Sequence, residues 1–384
     1  MQIEAIDAIP FRLPKRRVFR WAGLKADLGG FVLVRIRTDE GIVGFGEATP
    51  LPDWGGDHGR RSGDTLKSVM AIVTEVLAPR LIGRDPTGVE PLRLEMARAA
   101  KGSSYAKTAV DIALHDIAAK AVGLPLYKLL GGKVRDSVVV AHMVGIMQNA
   151  DALLEAVAAV EDGIRALQIK GGEDVKRDIA LVEAVRRAVG PDILIRLDAN
   201  QGYREPKAAI RAIRRLEQAG IDLVEQPVQG HAEMARVARA VDVPIMADES
   251  CWDAREAMEL IAAEAADSIS IYLAKAGGIA GARRVAAVAE AAGYRCDVNG
   301  SIESAIGNAA NLHFALATAA VDLPSVIPIT APSGAHPFRV AGRYYEDDIV
   351  AEAFPVADGA LLPLNRPGLG IEVDETRLAR YRLD

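Results

Sequence analysis

A (β/α) barrel preceded by a smaller α+β unit is the fold class this sequence predicts, and three observations carry the prediction. At 384 residues the chain exceeds one ordinary core, but it suits a barrel of roughly 200 to 250 residues with a companion domain. Beyond residue 131, short apolar runs alternate with amphipathic helical segments at a nearly constant interval. No Gly-x-Gly-x-x-Gly turn follows the first of those runs, so a closed barrel is favoured over a doubly wound sheet.

The elements follow in order. Residues 3–11, 30–38 and 41–47 read as strands, the last two joined by the turn Asp39-Glu40-Gly41, which makes a meander. Residues 15–29 and 50–61 are loops by their glycine, proline and polar content, long enough to carry a role. From 64 to 122 the apolar spacing turns helical and accommodates three helices, the last with Ala109, Ile112, Ala113 and Ile117 on one face. Strands followed by helices make an α+β unit, and Gly131-Gly132 marks its end. The barrel runs then fall at 138–144, 166–170, 193–198, 222–225, 244–248, 268–273 and 295–298, with an eighth at 325–329. Helices fill the gaps, for example at 174–189, 206–219 and 279–292, as parallel strands require. The tail from Val340 onward, with 368–374, reads as further sheet outside the barrel. The expected division is 1–130 for the α+β capping domain, 131–330 for the barrel and 331–384 for a segment returning to the first domain.

Composition narrows the function classes. Hydrophobic residues make up 50% of the chain and charged residues 26%, enough to bury a large core. A net charge of −6, with Lys and Arg scattered, offers no basic field for nucleic acid. No uncharged apolar run reaches membrane-helix length, and no apolar leader follows a basic start. Cys251 and Cys296 are too few for a disulfide framework and read as two ordinary thiols. The expectation is a cytoplasmic homo-oligomer acting on a small molecule, with no membrane and no nucleic-acid partner.

Charged residues gather where the runs end. Lys170, Asp198, Glu225, Asp248 and Lys275 close or follow successive runs, separated by 28, 27, 23 and 27 residues, one βα unit each time. All five side chains should therefore point into one mouth, the face where barrels carry their chemistry. Three carboxylates so close repel one another unless a cation joins them. Oxygen ligands without His or Cys favour a hard ion, hence Mg²⁺ over Zn²⁺, with Mn²⁺ as a substitute. A lysine beside such an ion in a water-poor mouth should have its pKa lowered toward that of a general base. A substrate carboxylate on the ion has an acidified α-proton. Gln168, two before Lys170 on the same strand face, should also point inward, to bond a substrate oxygen, to hold Lys170, or to pack in the barrel.

Nine stretches carry a resemblance. They begin with Gly44-Phe45-Gly46-Glu47, the run from Ala109 to Asp116, Leu129-Leu130-Gly131-Gly132 and Leu167-Gln168-Ile169-Lys170. Asp198-Ala199-Asn200-Gln201, Glu225-Gln226-Pro227, Asp248-Glu249-Ser250, Lys275-Ala276-Gly277-Gly278-Ile279 and Gly368-Leu369-Gly370 follow. In this order the chain resembles the enolase superfamily, and within it the muconate lactonizing enzyme subgroup, over nearly its whole length. The resemblance implies a modified (β/α)₇β TIM barrel under an N-terminal α+β capping domain. It implies Asp198, Glu225 and Asp248 as Mg²⁺ ligands, and Lys170 and Lys275 as an acid/base pair on opposite faces of the substrate. Under it, the loops near 15–29 and 50–61 close the pocket, with Trp21, Trp54 and His58 as candidate substrate contacts beside Gln168, Asn200, Asp297 and Asn299.

Two departures bear on the substrate. Gln168 stands where many members have the first lysine of Lys-x-Lys, which weakens the case for muconate lactonization. The eighth run has neither the acid some members place there nor an Asp-x-Glu to hold an amino group, so a dipeptide loses support. Trp54 beside Asp53 and Asp57 would suit a cationic amine or betaine head. The leading expectation is an isomerase, as racemase, epimerase or cycloisomerase; a dehydratase acting on a hydroxy acid shares its first step. A barrel that has lost its chemistry and only binds is the third reading, opposed by the five intact side chains.

Overall fold

The computed structural model describes residues 1–24 and 27–384; Lys25 and Ala26, within the first expected loop, lie outside the described residues. The chain opens with three antiparallel strands, β1 (Ile3–Arg12), β2 (Gly30–Thr38) and β3 (Val43–Ala48), ordered β1-β2-β3. Helix Ser104–Ala121 lies on this sheet because β3 offers it glycines. A Cβ on Gly46 would sit 1.8 Å from the Ala109 carbonyl oxygen, and one on Gly44 2.4 Å from that of Ala113. The backbones thus approach more closely than side chains would permit, which accounts for the Gly44-Phe45-Gly46 motif. The two other expected helices are present: Val89–Ala99, and Leu66–Ala71 running through the π-helical stretch Ile72–Leu77 into Ala78–Leu81.

The barrel strands follow. After the short β4 (Val138–Val139) come β5 (Ala141–Val144), β6 (Ala166–Lys170), β7 (Leu194–Asp198), β8 (Leu223–Glu225), β9 (Ile245–Ala247), β10 (Ser268–Ile271) and β11 (Arg295–Val298). Strands β5 to β11 form one parallel sheet in chain order, with helices such as Val175–Val189, Pro206–Gln218 and Ile279–Ala291 returning the chain each time. The strands are buried on both faces, as parallel barrel strands must be.

The eighth run closes the sheet with single bridges in place of a strand. Ser325 bridges Val140, and just ahead of the run Val321 bridges Cys296, both parallel. Ala141 N donates to Ser325 O at 2.8 Å, and Val326 N to Val298 O at 2.9 Å, so the run joins β5 to β11. Pro324 and Pro328 lack the N–H groups a longer ladder would need.

Three expectations are corrected. The run 138–144 is divided at Val140: β4 leaves the barrel and pairs with a hairpin of β12 (Val356–Ala357) and β13 (Ala360–Leu361). Residues 368–374, read as sheet, make only isolated bridges, Gly368 to Pro125 and Val373 to Val350. Gly368 and Gly370 both adopt left-handed φ, 72° and 71°, which an extended strand does not allow. Residues 272 and 273 leave the sixth run, because Leu273–Ala276 is a helical turn ended by left-handed Gly277. Near the end of the chain Arg382 bridges Phe11, and Leu383 N donates to Pro10 O at 2.9 Å. Cys251 and Cys296 are buried free thiols. Among the described residues no helix is long and apolar enough to cross a membrane.

Candidate active site

Parallel register sets the site. Lys170 lies in register with Asp198, and Asp198 with Glu225, while Asp248 follows β9 by one residue. The carboxylates of Asp198, Glu225 and Asp248 are buried, and one oxygen from each lies within 4.8 Å of the others. Short loops keep that height. A Cβ on Gly172 (φ 93°) would lie 2.1 Å from the Ala199 carbonyl oxygen, so glycine lets the turn after β6 press against the turn after β7. Buried Gln226, itself at φ 38°, ties the turns after β8 and β9: its Oε1 accepts from Asp248 N (2.8 Å) and its Nε2 donates to Ser250 Oγ (2.6 Å). Such left-handed side-chain-bearing residues cost of order 1–3 kcal/mol and gather at functional sites; Asn200 and Gln201 are two more at this mouth.

Cations meet the acids from three sides. Lys170 Nζ donates to Asp198 Oδ2 at 2.5 Å, and Lys275 Nζ to Asp248 Oδ1 at 2.6 Å, to its carbonyl at 2.8 Å and to Ser270 O at 2.8 Å. Arg196 places Nε 3.2 Å from Glu225 and donates through Nη1 to Asp297 Oδ2 at 2.6 Å. Gln168 turns its amide N–H groups to Glu225 (2.9 Å) and Asp198 (3.4 Å), bonding the acids and not Lys170. Burial pushes the Glu225 carboxyl up to about 8; Arg196 opposes this, and the charges of Asp198 and Asp248 add to it. Burial also raises Asp248, against Lys275, and raises Glu249, where Asp248 and Asp198 push the same way. For Lys170, burial pulls down, but the charges of Asp198 and Glu225 outweigh it and hold the ammonium above its ordinary value. That direction is opposite to the one expected for a lysine beside a bound cation, because here the unscreened carboxylates dominate.

The donor set fits a hard divalent ion. All three groups offer carboxylate oxygens, and Glu225 Oε1 is buried with no hydrogen-bond partner. A divalent charge among Asp198, Glu225 and Asp248 would offset the mutual repulsion that adds to burial in raising Glu225, Asp248 and Glu249.

Above the acids is a narrow cavity of about 20 Å³. Trp21, Trp54, Gln168, Lys170, Asn200 and Asn299 line it together with Asp248, Tyr272 and apolar side chains including Met143. Lys170 Nζ lies 5.1 Å from the centre of the Trp21 ring. Trp54 packs against Trp252 at 4.9 Å and Tyr272 at 5.1 Å. Two expected contacts stand apart from this wall. His58 is exposed on its loop, its N–H bonded to Gln229 Oε1 at 3.2 Å, and Asp297 is occupied with Arg196. Lys275 is buried on its helical turn with its Nζ 4.4 Å from the Tyr272 ring centre, and it is not part of the wall. Sequence reasoning missed Arg196, Tyr272 and Glu249. Arg196 was within reach, since it precedes Asp198 by two, the same strand-face rule that singled out Gln168.

Two family descriptions match the chain: "Mandelate racemase / muconate lactonizing enzyme, N-terminal domain" over residues 15–131, and "Enolase C-terminal domain-like" over 151–377. The chain belongs to the mandelate racemase/muconate lactonizing enzyme family of the enolase superfamily. Within this family it is 39% identical over 320 residues to the L-Ala-D/L-Glu epimerase of Bacillus subtilis, covering 82% of this chain and 85% of that one. It is 34% identical to the N-succinyl-L-Arg/Lys racemase of Bacillus cereus, over 98% and 97% of the two chains. The crystal structure of that racemase superposes with a TM-score of 0.90 at 32% identity, covering 100% of this chain and 99% of the other. The muconate lactonizing enzyme of Pseudomonas fluorescens, complexed with muconolactone, gives the same TM-score, identity and coverage. Likeness over whole chains, together with the acidic triad, supports an enzyme of the isomerase type found in this family.

Proposed function

We propose that this protein is a Mg²⁺-dependent isomerase that removes the proton on the carbon next to a substrate carboxylate and delivers a proton back, as a racemase, epimerase or cycloisomerase. The observation that carries the reading is the group of three buried carboxylates within 4.8 Å of one another, with one lysine bonded to each outer acid. Asp198, Glu225 and Asp248 would hold Mg²⁺, or Mn²⁺ in its place. Bound there, the ion would stabilise the negative charge that builds on the substrate carboxylate as the α-proton leaves.

This chain's own residues do the rest. Lys170 and Lys275 each spend a hydrogen bond on an acid that would also serve the ion. A cation drawing on Asp198 would weaken the hold that keeps the Lys170 ammonium charged and make its neutral form less costly, and one drawing on Asp248 would loosen its hydrogen bond to Lys275. One lysine then takes the α-proton, and the other supplies a proton to the opposite face. Gln168 keeps Glu225 oriented, and Trp21 and Trp54 help keep water from the reacting carbon.

The test is exchange of the α-proton in D₂O across a panel of N-modified amino acids, hydroxyprolines, muconates and acid sugars, with and without Mg²⁺. The expected result is Mg²⁺-dependent exchange, with a product that gains only the exchanged deuterium and loses no water. A product lighter by one water would make the protein a dehydratase, and absence of exchange with every acid would make it a binding protein.

A further inference from the structure

We propose that Arg196 and Asp297 form an ion pair inside the barrel that leaves Glu225 one free carboxylate oxygen, and that this restriction selects Mg²⁺ against Ca²⁺. The inference rests on the reading of Asp198, Glu225 and Asp248 as the place of the ion, and it adds the side chains that decide which ion fits.

The two oxygens of Glu225 have unequal surroundings. Oε2 accepts from Gln168 Nε2 at 2.9 Å and has Arg196 Nε at 3.2 Å, while Oε1 is buried with no hydrogen-bond partner. A carboxylate oxygen carries two lone pairs, so two donors occupy Oε2 and Oε1 is left for a cation. Asp198 repeats the pattern more loosely. Its Oδ2 accepts from Lys170 at 2.5 Å and from Gln168 at 3.4 Å, and its Oδ1 from Asn200 N at 2.9 Å. Asp248 has one side-chain donor on each oxygen, Lys275 at 2.6 Å and the Tyr272 hydroxyl at 3.2 Å.

Arg196 is placed to hold this arrangement. It lies on β7 and reaches through the barrel interior to Asp297 on β11, at the far edge of the same sheet, where Nη1 donates to Oδ2 at 2.6 Å. Nη1 also lies 3.2 Å from Met246 Sδ. Arg196, Asp297 and Glu225 are all buried. A planar guanidinium between two carboxylates has its orientation fixed by both, and separating a buried pair is strongly unfavourable. Asp297 therefore acts on Glu225 through Arg196, and both are positioning residues.

The consequence differs between ions of equal charge. Mg²⁺ takes single oxygens from carboxylates and keeps several waters, whereas Ca²⁺ gathers about six to eight oxygens and often takes both from one carboxylate. Acids limited to one oxygen each meet the first demand and not the second. Without Arg196, Glu225 could turn both oxygens inward, and Ca²⁺ would gain more than Mg²⁺.

The experiment loads the metal-stripped, full-length protein with Mn²⁺ and follows its displacement by MgCl₂ and by CaCl₂ through the EPR signal of free Mn²⁺, which yields both affinities without turnover. The wild type should bind Mg²⁺ more tightly than Ca²⁺. Arg196→Met together with Asp297→Leu removes both charges at once, the change a buried pair tolerates best. This double variant should raise the ratio of Ca²⁺ to Mg²⁺ affinity about tenfold or more. Arg196→Lys keeps the charge without the planar fork and should raise the ratio about threefold; it carries the test if circular dichroism shows the double variant unfolded. A general loss of structure or a change in charge moves both affinities together and leaves the ratio alone. A ratio unchanged in the folded variant, or a wild type that prefers Ca²⁺, would overturn the inference and leave the reading of the triad standing. A wild type that binds none of the three ions would overturn that reading, and the inference with it.

Discussion

Two loops of the capping unit reach the mouth of the barrel, and they are fastened by different physics. The loop after β1 is held by ions: Arg17 and Arg16 meet Glu155 at 2.6 and 3.1 Å, and His142 meets the same carboxylate at 3.1 Å. It brings Trp21 to Lys170. The loop after β3 is held largely by the buried Asp57, whose Oδ1 accepts from Gln201 Nε2 and Ser250 Oγ at 2.9 Å each, and by Trp54 and Arg61 against Trp252. It brings Trp54 beside Tyr272, whose hydroxyl donates to Asp248 at 3.2 Å. One loop thus borders the Lys170 side of the site and the other the Asp248 side. The first fastening should answer to acid, the second to loss of directed hydrogen bonds.

The larger expected effect is at Glu155. Burial pushes its carboxyl up, but hydrogen bonds and charge from His142 and Arg17 prevail and hold it at about 2. Because the folded value lies below the ordinary 4.5, this contribution is fully present above pH 4.5 and is lost as pH falls through 2. At 1.36 kcal/mol per unit it amounts to about 3 kcal/mol. In urea unfolding, Glu155→Gln should lower stability by about that much near neutrality, and the gap to the wild type should shrink between pH 4.5 and 2. A constant gap over that range would mean that the first loop is not held by charge.

A smaller effect is expected at Asp57. Asp57→Ala removes two hydrogen bonds of about 1 kcal/mol each, so KM should rise by up to about thirtyfold while kcat changes little. Steady-state kinetics on any accepted substrate reads the split. A fall in kcat with KM unchanged would move this loop from substrate binding to proton transfer and erase the contrast between the loops.

The same contrast marks what the sequence revealed. The strand ends were legible because a βα repeat combined with parallel register leaves little freedom: the run 166–170 reappears as β6, and Lys170, Asp198 and Glu225 align across three strands. Loop contacts were not, because they join residues far apart in the chain by side-chain geometry alone. Asp57 to Gln201 spans 144 positions and Ser304 to Glu47 spans 257, and no local pattern encodes either. His58 illustrates the limit: it neighbours Asp57 in sequence, yet its ring is exposed while Asp57 is buried. The run 138–144 was too continuous to show its division at Val140, since only His142 interrupts its apolar residues. Lys275 keeps the spacing of one βα unit although it sits on a helical turn and not on a strand end, because the turn adds few residues to the repeat.

The division of labour between Lys170 and Lys275 can be measured directly. Each enantiomer of one accepted substrate is incubated in D₂O with Mg²⁺ and either Lys170→Ala or Lys275→Ala, and the α-proton is followed by NMR. Each variant should exchange one enantiomer only, the two variants choosing opposite ones, with interconversion slowed about 10²- to 10⁴-fold. Exchange of both enantiomers by either variant, or interconversion at the wild-type rate, would contradict the account.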